Sequence, residues 1–232
     1  MRSRAARTAI LAAIAALCAT WSAAASAATV SLDRACYKAS SAGIVTITGQ
    51  GFTPGEQYTV LVQGGVVDVG TAAADGSLVK RIPVPLPPDS GPGAHTGTYS
   101  VEVQQVDNDA KSSFQASAVY GDFTPGSGDP RTLRVHFIAY GFGTATPAGQ
   151  PMPTVYVHYI DPRGKLRKTV AIGAGTAPCG TIKRTALRKL FPFTPRSGTW
   201  TLQYDTQQKY VKGTPTTYFP FDRFTLTISA KH

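Results

Sequence analysis

Two clusters of basic residues in the second half of the chain have the composition and spacing of an anion-binding surface. One follows the turn at Asp161 and Pro162, and the other lies in the segment after Cys179. The eight side chains are Arg163, Lys165, Arg167, Lys168, Lys183, Arg184, Arg188 and Lys189. If the two segments are neighbouring strands, these side chains form one positive patch, and such a patch attracts polyanions. The chemistry predicted for them is therefore the binding of an anionic partner.

The net charge is divided unevenly between the two halves of the chain. Residues 28–126 hold 5 Lys/Arg and 9 Asp/Glu, which gives a net charge of −4. Residues 127–232 hold 15 Lys/Arg and 4 Asp/Glu, which gives a net charge of +11. Candidate partners are wall phosphate polymers, acidic polysaccharides, extracellular DNA, anionic lipid head groups and an extracellular protein. Two other interpretations explain the same charge. In the first, the Lys and Arg residues only keep exposed sheet faces and edges from aggregating. In the second, the basic half docks on the acidic half.

Dedicated recognition of nucleic acid is disfavoured by the positions of the aromatic residues. Phe137, Tyr156 and Tyr159 could in principle stack on bases. They lie in strand-like segments, however, where aromatic side chains are far more often core residues. Nucleic acid is therefore not the predicted partner.

Catalytic signatures are missing from the sequence. It contains no Gly-x-Ser-x-Gly, no His-Glu-x-x-His and no glycine-rich phosphate loop after a strand. Hydrolysis by paired carboxylates needs two that face each other across a cleft, and Asp161 with Asp205 is the pair to test. The sequence predicts a protein that is not an enzyme. An enzyme with a loop-built site that leaves no motif is the third hypothesis.

Two groups of potential metal ligands are incomplete. His136 and His158 lie on the polar faces of strands, with no nearby Cys or carboxylate to complete a zinc site, and we interpret both as surface histidines. Asp107, Asn108 and Asp109 supply three oxygen side chains, fewer than calcium takes, and they favour a turn. The sequence therefore predicts no metal and no cofactor.

The first 27 residues have the three parts of a cleavable signal peptide. Three arginines precede an apolar run over residues 9–19, and small residues follow it. Cleavage is predicted after Ala27, with Ala28 as the neighbouring alternative. The run is shorter than the roughly 20 residues that cross a bilayer, and no later run reaches that length. The mature chain is therefore predicted to be secreted and extracellular, without a transmembrane segment.

Two cysteines, Cys36 and Cys179, remain after removal of the predicted signal peptide. Outside the cytoplasm an even pair is expected to be oxidised. A bond between them closes a loop of about 143 residues, worth on the order of 4 kcal/mol in the chain-entropy model. The alternatives are two buried free thiols or an intermolecular bridge.

Alternating apolar and polar residues predict β-strands in both halves of the chain. The apolar positions of these strands include Val45, Ile47, Tyr58, Val60, Tyr99, Val101, Val135, Phe137, Val155, Val157, Trp200 and Leu202. The Gly- and Pro-rich segment 121–130 is typical of a linker, which places the boundary between the halves near residue 127. Segment 181–190 is predicted to be an irregular strand.

A family resemblance is carried by residues 45–56, whose sequence is VTITGQGFTPGE. They resemble the opening of bacterial immunoglobulin-like domains of the IPT/TIG kind, in which a strand, Gly-x-Gly-Phe and a Pro-Gly turn precede a second strand. The resemblance covers most of residues 29–125 and implies a β-sandwich but no particular activity. The second half, with PCG at 178–180 and LFPF at 190–193, resembles domains in exported proteins of high-GC bacteria that have no assigned activity.

The two halves also resemble each other. Gly-Phe occurs at residues 51–52 and again at 141–142, and segment 97–103 matches segment 198–204 in pattern. Two copies of one β-sandwich plan explain this recurrence, and chance is the alternative. The predicted fold is all-β, with two tandem immunoglobulin-like β-sandwich domains after a signal peptide. The predicted boundaries are 1–27 for the signal peptide, 28–126 for the first domain and 127–232 for the second, basic domain.

Two functional hypotheses follow from these features. The first is a secreted, non-catalytic binding or adhesion module whose basic second domain contacts an anionic envelope polymer or an extracellular partner. The second is a rigid structural spacer of two disulfide-linked immunoglobulin-like domains with no ligand of its own.

Overall fold

Every regular element in the described part of the chain is a β-strand. The computed structural model describes residues 27–40, 42–86, 95–147 and 149–229, so the predicted signal peptide lies outside it except for Ala27. The strands are β1 (Thr29–Leu32), β2 (Cys36–Lys38), β3 (Ile44–Gln50), β4 (Gln57–Val62), β5 (Gly65–Thr71), β6 (Leu78–Pro83), β7 (Thr96–Gln104), β8 (Asp109–Ser117), β9 (Tyr120–Thr124), β10 (Arg134–Tyr140), β11 (Thr154–Ile160), β12 (Leu166–Ala174), β13 (Arg188–Lys189), β14 (Gly198–Asp205) and β15 (Phe221–Ile228). The described residues contain no helix that could span a membrane.

The first sandwich contains strands β1 to β8 in two sheets. The strand orders are β1-β3-β6 and β2-β8-β7-β4-β5. All pairs are antiparallel except β2 with β8, which is parallel. Successive side chains of a strand point to opposite faces, so Val45 and Ile47 of β3 and Val101 and Val103 of β7 are wholly buried between the sheets. The predicted alternation is therefore the inside–outside pattern of this sandwich.

The second sandwich contains strands β9 to β15 and repeats the same plan. Its sheets have the orders β13-β10-β9 and β12-β11-β14-β15, with all pairs antiparallel. Its core is rich in aromatic residues, since Phe137, Tyr159, Trp200 and Tyr204 are each at most 1% exposed. Two packed sheets with this strand order form an immunoglobulin-like sandwich. The predicted all-β fold of tandem immunoglobulin-like sandwiches is confirmed.

Equivalent strands explain the internal resemblance of the two halves. Strand β7 lies between β4 and β8, and β14 lies in the same way between β11 and β15. Gly51 follows β3 and Gly141 follows β10, with φ angles of 77° and 76°, a region that glycine enters readily. A Cβ atom on Gly141 would lie 2.2 Å from the carbonyl oxygen of Ala118. This glycine therefore also lets the second sandwich approach the end of the first.

The chain passes from one sandwich to the other at Ala118 and Val119. These two residues connect β8 to β9, and β9 pairs with β10 along its whole length, from Tyr120 opposite Tyr140 to Thr124 opposite His136. Strand β9 lies before the predicted domain boundary between residues 126 and 127, yet it is hydrogen-bonded to the second sandwich. The Gly- and Pro-rich segment after it turns the chain from β9 into β10 within that sandwich.

A disulfide bond joins the two sandwiches at a second point. The sulfur atoms of Cys36 and Cys179 are 2.02 Å apart, which confirms the predicted pairing. The bond connects β2 of the first sandwich to the segment between β12 and β13 of the second, and both cysteines are buried. Nearby, the Arg34 side chain donates a hydrogen bond to the carbonyl oxygen of Thr144. The two sandwiches are therefore attached both by the main chain and by a buried cross-link.

Candidate anion-binding edge

Segment 182–189 runs antiparallel to β10 as an irregular strand. Ile182 and Ala139 exchange two backbone hydrogen bonds of 2.7 and 2.9 Å, and at the other end Arg188 and Lys189 form β13. Between them the Thr185 amide donates to the Phe137 carbonyl oxygen at 3.0 Å. The Phe137 amide donates in turn to the Thr185 hydroxyl at 2.9 Å. This hydroxyl takes the place of a ladder carbonyl, so the segment stays on the sheet although its backbone is irregular.

The Thr185 hydroxyl is therefore expected to hold the basic segment in place. Replacing Thr185 with Val leaves the buried Phe137 amide without an acceptor, which costs about 1–3 kcal/mol. We expect a lower urea midpoint of unfolding for this variant. Thr185→Ser keeps the hydroxyl and should retain most of the stability. Equal midpoints for the Val and Ser variants would contradict this role.

The turn between β11 and β12 is built around the Asp161 carboxylate. Its Oδ1 atom accepts hydrogen bonds from the amides of Arg163 at 2.9 Å and Lys165 at 3.0 Å. The pKa of Asp161 lies below its ordinary value. The largest cause is the hydrogen bond from the Lys165 amide, and the Arg163 amide and the charges of Arg196 and Arg167 add to it. The charged carboxylate thus fixes a tight turn, from which the Arg163 and Lys165 side chains project into solvent.

The two basic segments meet along one side of the second sandwich. Strand β12 is the outer strand of its sheet, and segment 182–189 borders the other sheet. The Arg188 guanidinium crosses between them and donates to the Ala171 carbonyl oxygen at 3.2 Å. The Tyr159 hydroxyl, opposite Lys168 in the ladder, donates to the Leu190 carbonyl oxygen at 2.7 Å. These contacts join the two segments at Ala171 and at Leu190, and we call the eight predicted basic residues together the basic edge.

The basic edge is largely exposed to solvent, and its cations take part in no described ion pair. Seven of its eight side chains are exposed, and Arg188 is partly buried because it crosses between the sheets. Within the described ranges, none of the eight lies within ion-pair distance of a carboxylate. Each described ion pair joins residues of the same sandwich. No described ion pair therefore joins the basic half to the acidic half.

Arg134 is a further cation of this edge that the basic clusters in the sequence did not include. It lies directly opposite Lys189 in the ladder between β10 and β13. Its guanidinium donates to the Leu187 carbonyl oxygen at 3.3 Å. Like charges directly opposite each other destabilise a sheet, so folding alone does not favour this pair. The alternation of Arg134, buried Val135 and His136 was the signal that could have placed Arg134 on the outer face.

The interpretation of His158 as a surface histidine is wrong, because this side chain is wholly buried. It lies on the outer face of the four-stranded sheet, and the loop between β14 and β15 covers it. Its Nε2 atom is 3.0 Å from Asp205 Oδ1 and 3.0 Å from the Gln207 carbonyl oxygen, and its Nδ1 atom is 2.8 Å from the Thr169 hydroxyl. Local alternation could not show that a later loop folds back over this polar face.

Gln203 continues this buried polar network along the same face. Its amide nitrogen donates to Asp205 Oδ2 at 2.6 Å and to the Val211 carbonyl oxygen at 2.7 Å. Its amide oxygen accepts from the Gly213 amide at 3.1 Å and from the Arg223 guanidinium. Four side chains of β11, β14 and β15 thus bind the backbone of the loop between β14 and β15, namely those of His158, Gln203, Asp205 and Arg223. These interactions hold the loop against the sheet, and His158 and Asp205 are wholly buried beneath it.

The other candidate sites of the sequence do not assemble in the described structure. Asp205 lies opposite Tyr156, five positions along β11 from Asp161, so the two carboxylates are about 17 Å apart along the strand. Asn108 lies in the turn between β7 and β8, where its side chain binds the Gly51 carbonyl oxygen at 2.8 Å. Among the described residues, no group of three or more His, Cys, Asp or Glu side chains could hold a metal ion.

Comparisons with known proteins add only remote similarities. No family model matches the chain, so the IPT/TIG resemblance has no support from this comparison. No curated protein matches it either.

Several solved structures show a remote likeness to the chain. A tetra-tandem repeat from the extending region of a large adhesion protein is 18% identical, with a TM-score of 0.25. The match covers 88% of this chain and 49% of that one, so this chain spans about half of its length. Bovine butyrophilin is 9% identical, with a TM-score of 0.31, over 88% of this chain and 100% of its own.

Fibronectin(III)-like modules of Clostridium thermocellum CbhA are 10% identical, with a TM-score of 0.28, over 88% of this chain and 98% of theirs. None of these structures superposes closely on the whole chain. The fold described above therefore rests on the strand order and pairing of this protein.

Proposed function

We propose that this protein is a secreted, non-catalytic binding module whose basic edge contacts a linear anionic polymer of the cell envelope. The single observation that carries the proposal is the row of eight basic side chains without a carboxylate partner among the described residues. A folded protein normally intersperses the two signs of charge on its surface. A concentration of one sign along one side supports a function in binding a partner of opposite charge.

The length of the basic edge favours a polymer over a small anion. Segment 182–189 lies opposite residues 134–139 of β10, so it spans about 17 Å at the rise of a strand, and the turn between β11 and β12 adds further cations at one end. Charges distributed over this distance can contact several repeating units of one chain at once. Each exposed contact contributes little by itself, so binding depends on many contacts and is sensitive to salt.

Export to the cell surface is part of this proposal. Its support is the signal-peptide pattern of the first 27 residues and the disulfide bond between Cys36 and Cys179. Disulfides persist in oxidising compartments such as the cell exterior and the bacterial periplasm. An anionic envelope polymer is within reach of a protein in either location.

Sedimentation of the mature chain with isolated cell envelopes tests the proposal. We expect the protein to sediment with envelopes at about 0.1 M salt and to be released at about 1 M, because the screening length falls from about 10 Å to about 3 Å. Protein incubated without envelopes and with envelopes stripped of anionic polymer provides the controls. Failure to sediment at either salt concentration would reject the proposed function.

The second candidate function is a rigid spacer without a ligand of its own. The observation in its favour is the double attachment of the two sandwiches, by Ala118 and Val119 and by the buried disulfide. A spacer needs a fixed relation between its domains but no charged edge. It therefore predicts no envelope binding at low salt, the opposite of the first proposal.

A further inference from the structure

His136 lies beside the basic edge on the outer face of β10. Its imidazole is partly buried and uses both ring nitrogens. The Nδ1 atom is 2.7 Å from the Thr185 carbonyl oxygen. The Nε2 atom is 2.6 Å from the Arg184 guanidinium. The histidine is thus in direct contact with a cation of the basic edge.

The two contacts suit one tautomer of this imidazole. A carbonyl oxygen can only accept a hydrogen bond, so Nδ1 carries a proton and donates it to Thr185. A guanidinium can only donate, so Nε2 has a free lone pair that accepts from Arg184. These are the contacts that an imidazole with its only proton on Nδ1 makes. Protonation at Nε2 would place two donors and two positive charges against each other and break the contact with Arg184.

The surroundings of His136 are mainly positive. On its own strand, Arg134 is two residues away on the same face, with Lys189 opposite it. On the other side, strand β9 places Thr124 opposite His136 and Asp122 one diagonal position away. The Asp122 carboxylate already accepts hydrogen bonds from the Tyr120 hydroxyl and the Phe123 amide. No described carboxylate therefore contacts the Nε2 atom, and an external anion is the acceptor that would suit its protonated form.

We propose that His136 is a further anion-contacting residue of the basic edge, and that polymer binding there takes up a proton. An oxyanion between His136 and Arg184 accepts one hydrogen bond from each when the imidazole is charged. The proposal rests on the proposed function, since it concerns the same polyanion and the same edge. It adds a contact residue and a dependence on pH that the eight permanently charged side chains do not provide.

The direction of the effect follows from linkage between proton and anion binding. The contact with Arg184 uses the Nε2 atom of His136 as an acceptor, whereas a bound anion accepts a proton that Nε2 donates. The bound state therefore holds more protons near the ordinary titration range of histidine. Affinity must then rise as the pH falls through that range. A charge-assisted hydrogen bond of 1.5–3 kcal/mol corresponds to an increase of about tenfold or more.

Binding of fluorescent dextran sulfate to the mature chain at constant ionic strength tests this proposal. The sulfate esters of this probe keep their charge between about pH 5.5 and about pH 8, which bracket the titration of histidine. We expect about tenfold tighter binding at the lower pH for the wild-type protein. His136→Gln should bind with no such pH dependence. His95→Gln, a variant of another partly exposed histidine, should keep the wild-type response.

The possible outcomes separate this inference from the proposed function. Binding of equal strength at both pH values, or a pH response that persists in His136→Gln, overturns the role of His136 and leaves the proposed function standing. Absence of binding at both values rejects both. As a second readout, the NMR titration of the His136 ring should shift to higher pH when dextran sulfate is added. An unchanged titration would show that the ring has only a structural role.

Discussion

Reversing the charge of four residues at the end of the basic edge is expected to abolish binding to cell envelopes. The variant carries Glu at positions 163, 165, 167 and 168, where the natural residues are Arg163, Lys165, Arg167 and Lys168. Each exposed charge contact is worth up to about 1 kcal/mol, and reversal replaces attraction with repulsion. Together the four changes should raise the Kd by at least about 100-fold. Sedimentation with envelopes at low salt measures the loss.

A matched variant separates the position of the charge from its total amount. Four exposed cations that do not belong to the basic edge can be reversed in the same way, namely Lys38, Arg81, Lys209 and Lys212. This control changes the net charge of the protein equally but should retain most of the binding. Equal loss in both variants would mean that net charge, rather than the basic edge, governs attachment. Undiminished binding of the first variant would sink the proposal, and circular dichroism should show that both variants are folded.

Removal of the disulfide is expected to have the largest effect on stability. In the double variant Cys36→Ala, Cys179→Ala the cross-link between positions separated by 143 residues is lost. The chain-entropy model predicts a decrease of about 4–5 kcal/mol in the free energy of unfolding for a loop of this length. Both cysteines are buried, so the alanines also leave a small space in the contact region. Urea unfolding monitored by tryptophan fluorescence should show a lower midpoint.

Two controls show whether this loss arises from the cross-link. Peptide mapping of the wild-type protein under non-reducing conditions should recover Cys36 and Cys179 in one linked fragment. Wild-type protein unfolded in a reducing buffer should then resemble the double variant. If two free thiols are found, or if reduction leaves the midpoint unchanged, the bond does not stabilise the pair of sandwiches in solution. The spacer hypothesis would then lose its main support.

The two experiments also distinguish the two functional hypotheses. The basic edge lies entirely in the second sandwich, so loss of the disulfide need not remove envelope binding while that sandwich stays folded. A binding module should therefore be sensitive to charge reversal and less sensitive to loss of the disulfide. A spacer should show the opposite pattern.

Features that depend on neighbouring residues could be predicted from the sequence. Alternation of apolar and polar residues predicted the strands, because side chains of an extended chain point to opposite faces with a period of two. The uneven charge and the even pair of cysteines are also properties of composition. They were sufficient to predict the tandem sandwiches and the bond between Cys36 and Cys179.

Features that depend on contacts between distant segments required the folded chain. Alternation marked His158 as a residue of a polar face, but the loop after β14 buries it through Gln203 and Asp205. Segment 121–130 had the composition of a linker, but its residues 121–124 belong to β9 and the rest lies in the connection from β9 to β10. Pairing of β9 with β10 is a choice of partner that local composition does not encode. The basic edge itself depends on Arg188 reaching Ala171, 17 positions earlier in the chain. Local sequence determines which way a side chain points, whereas long-range pairing determines what it meets there.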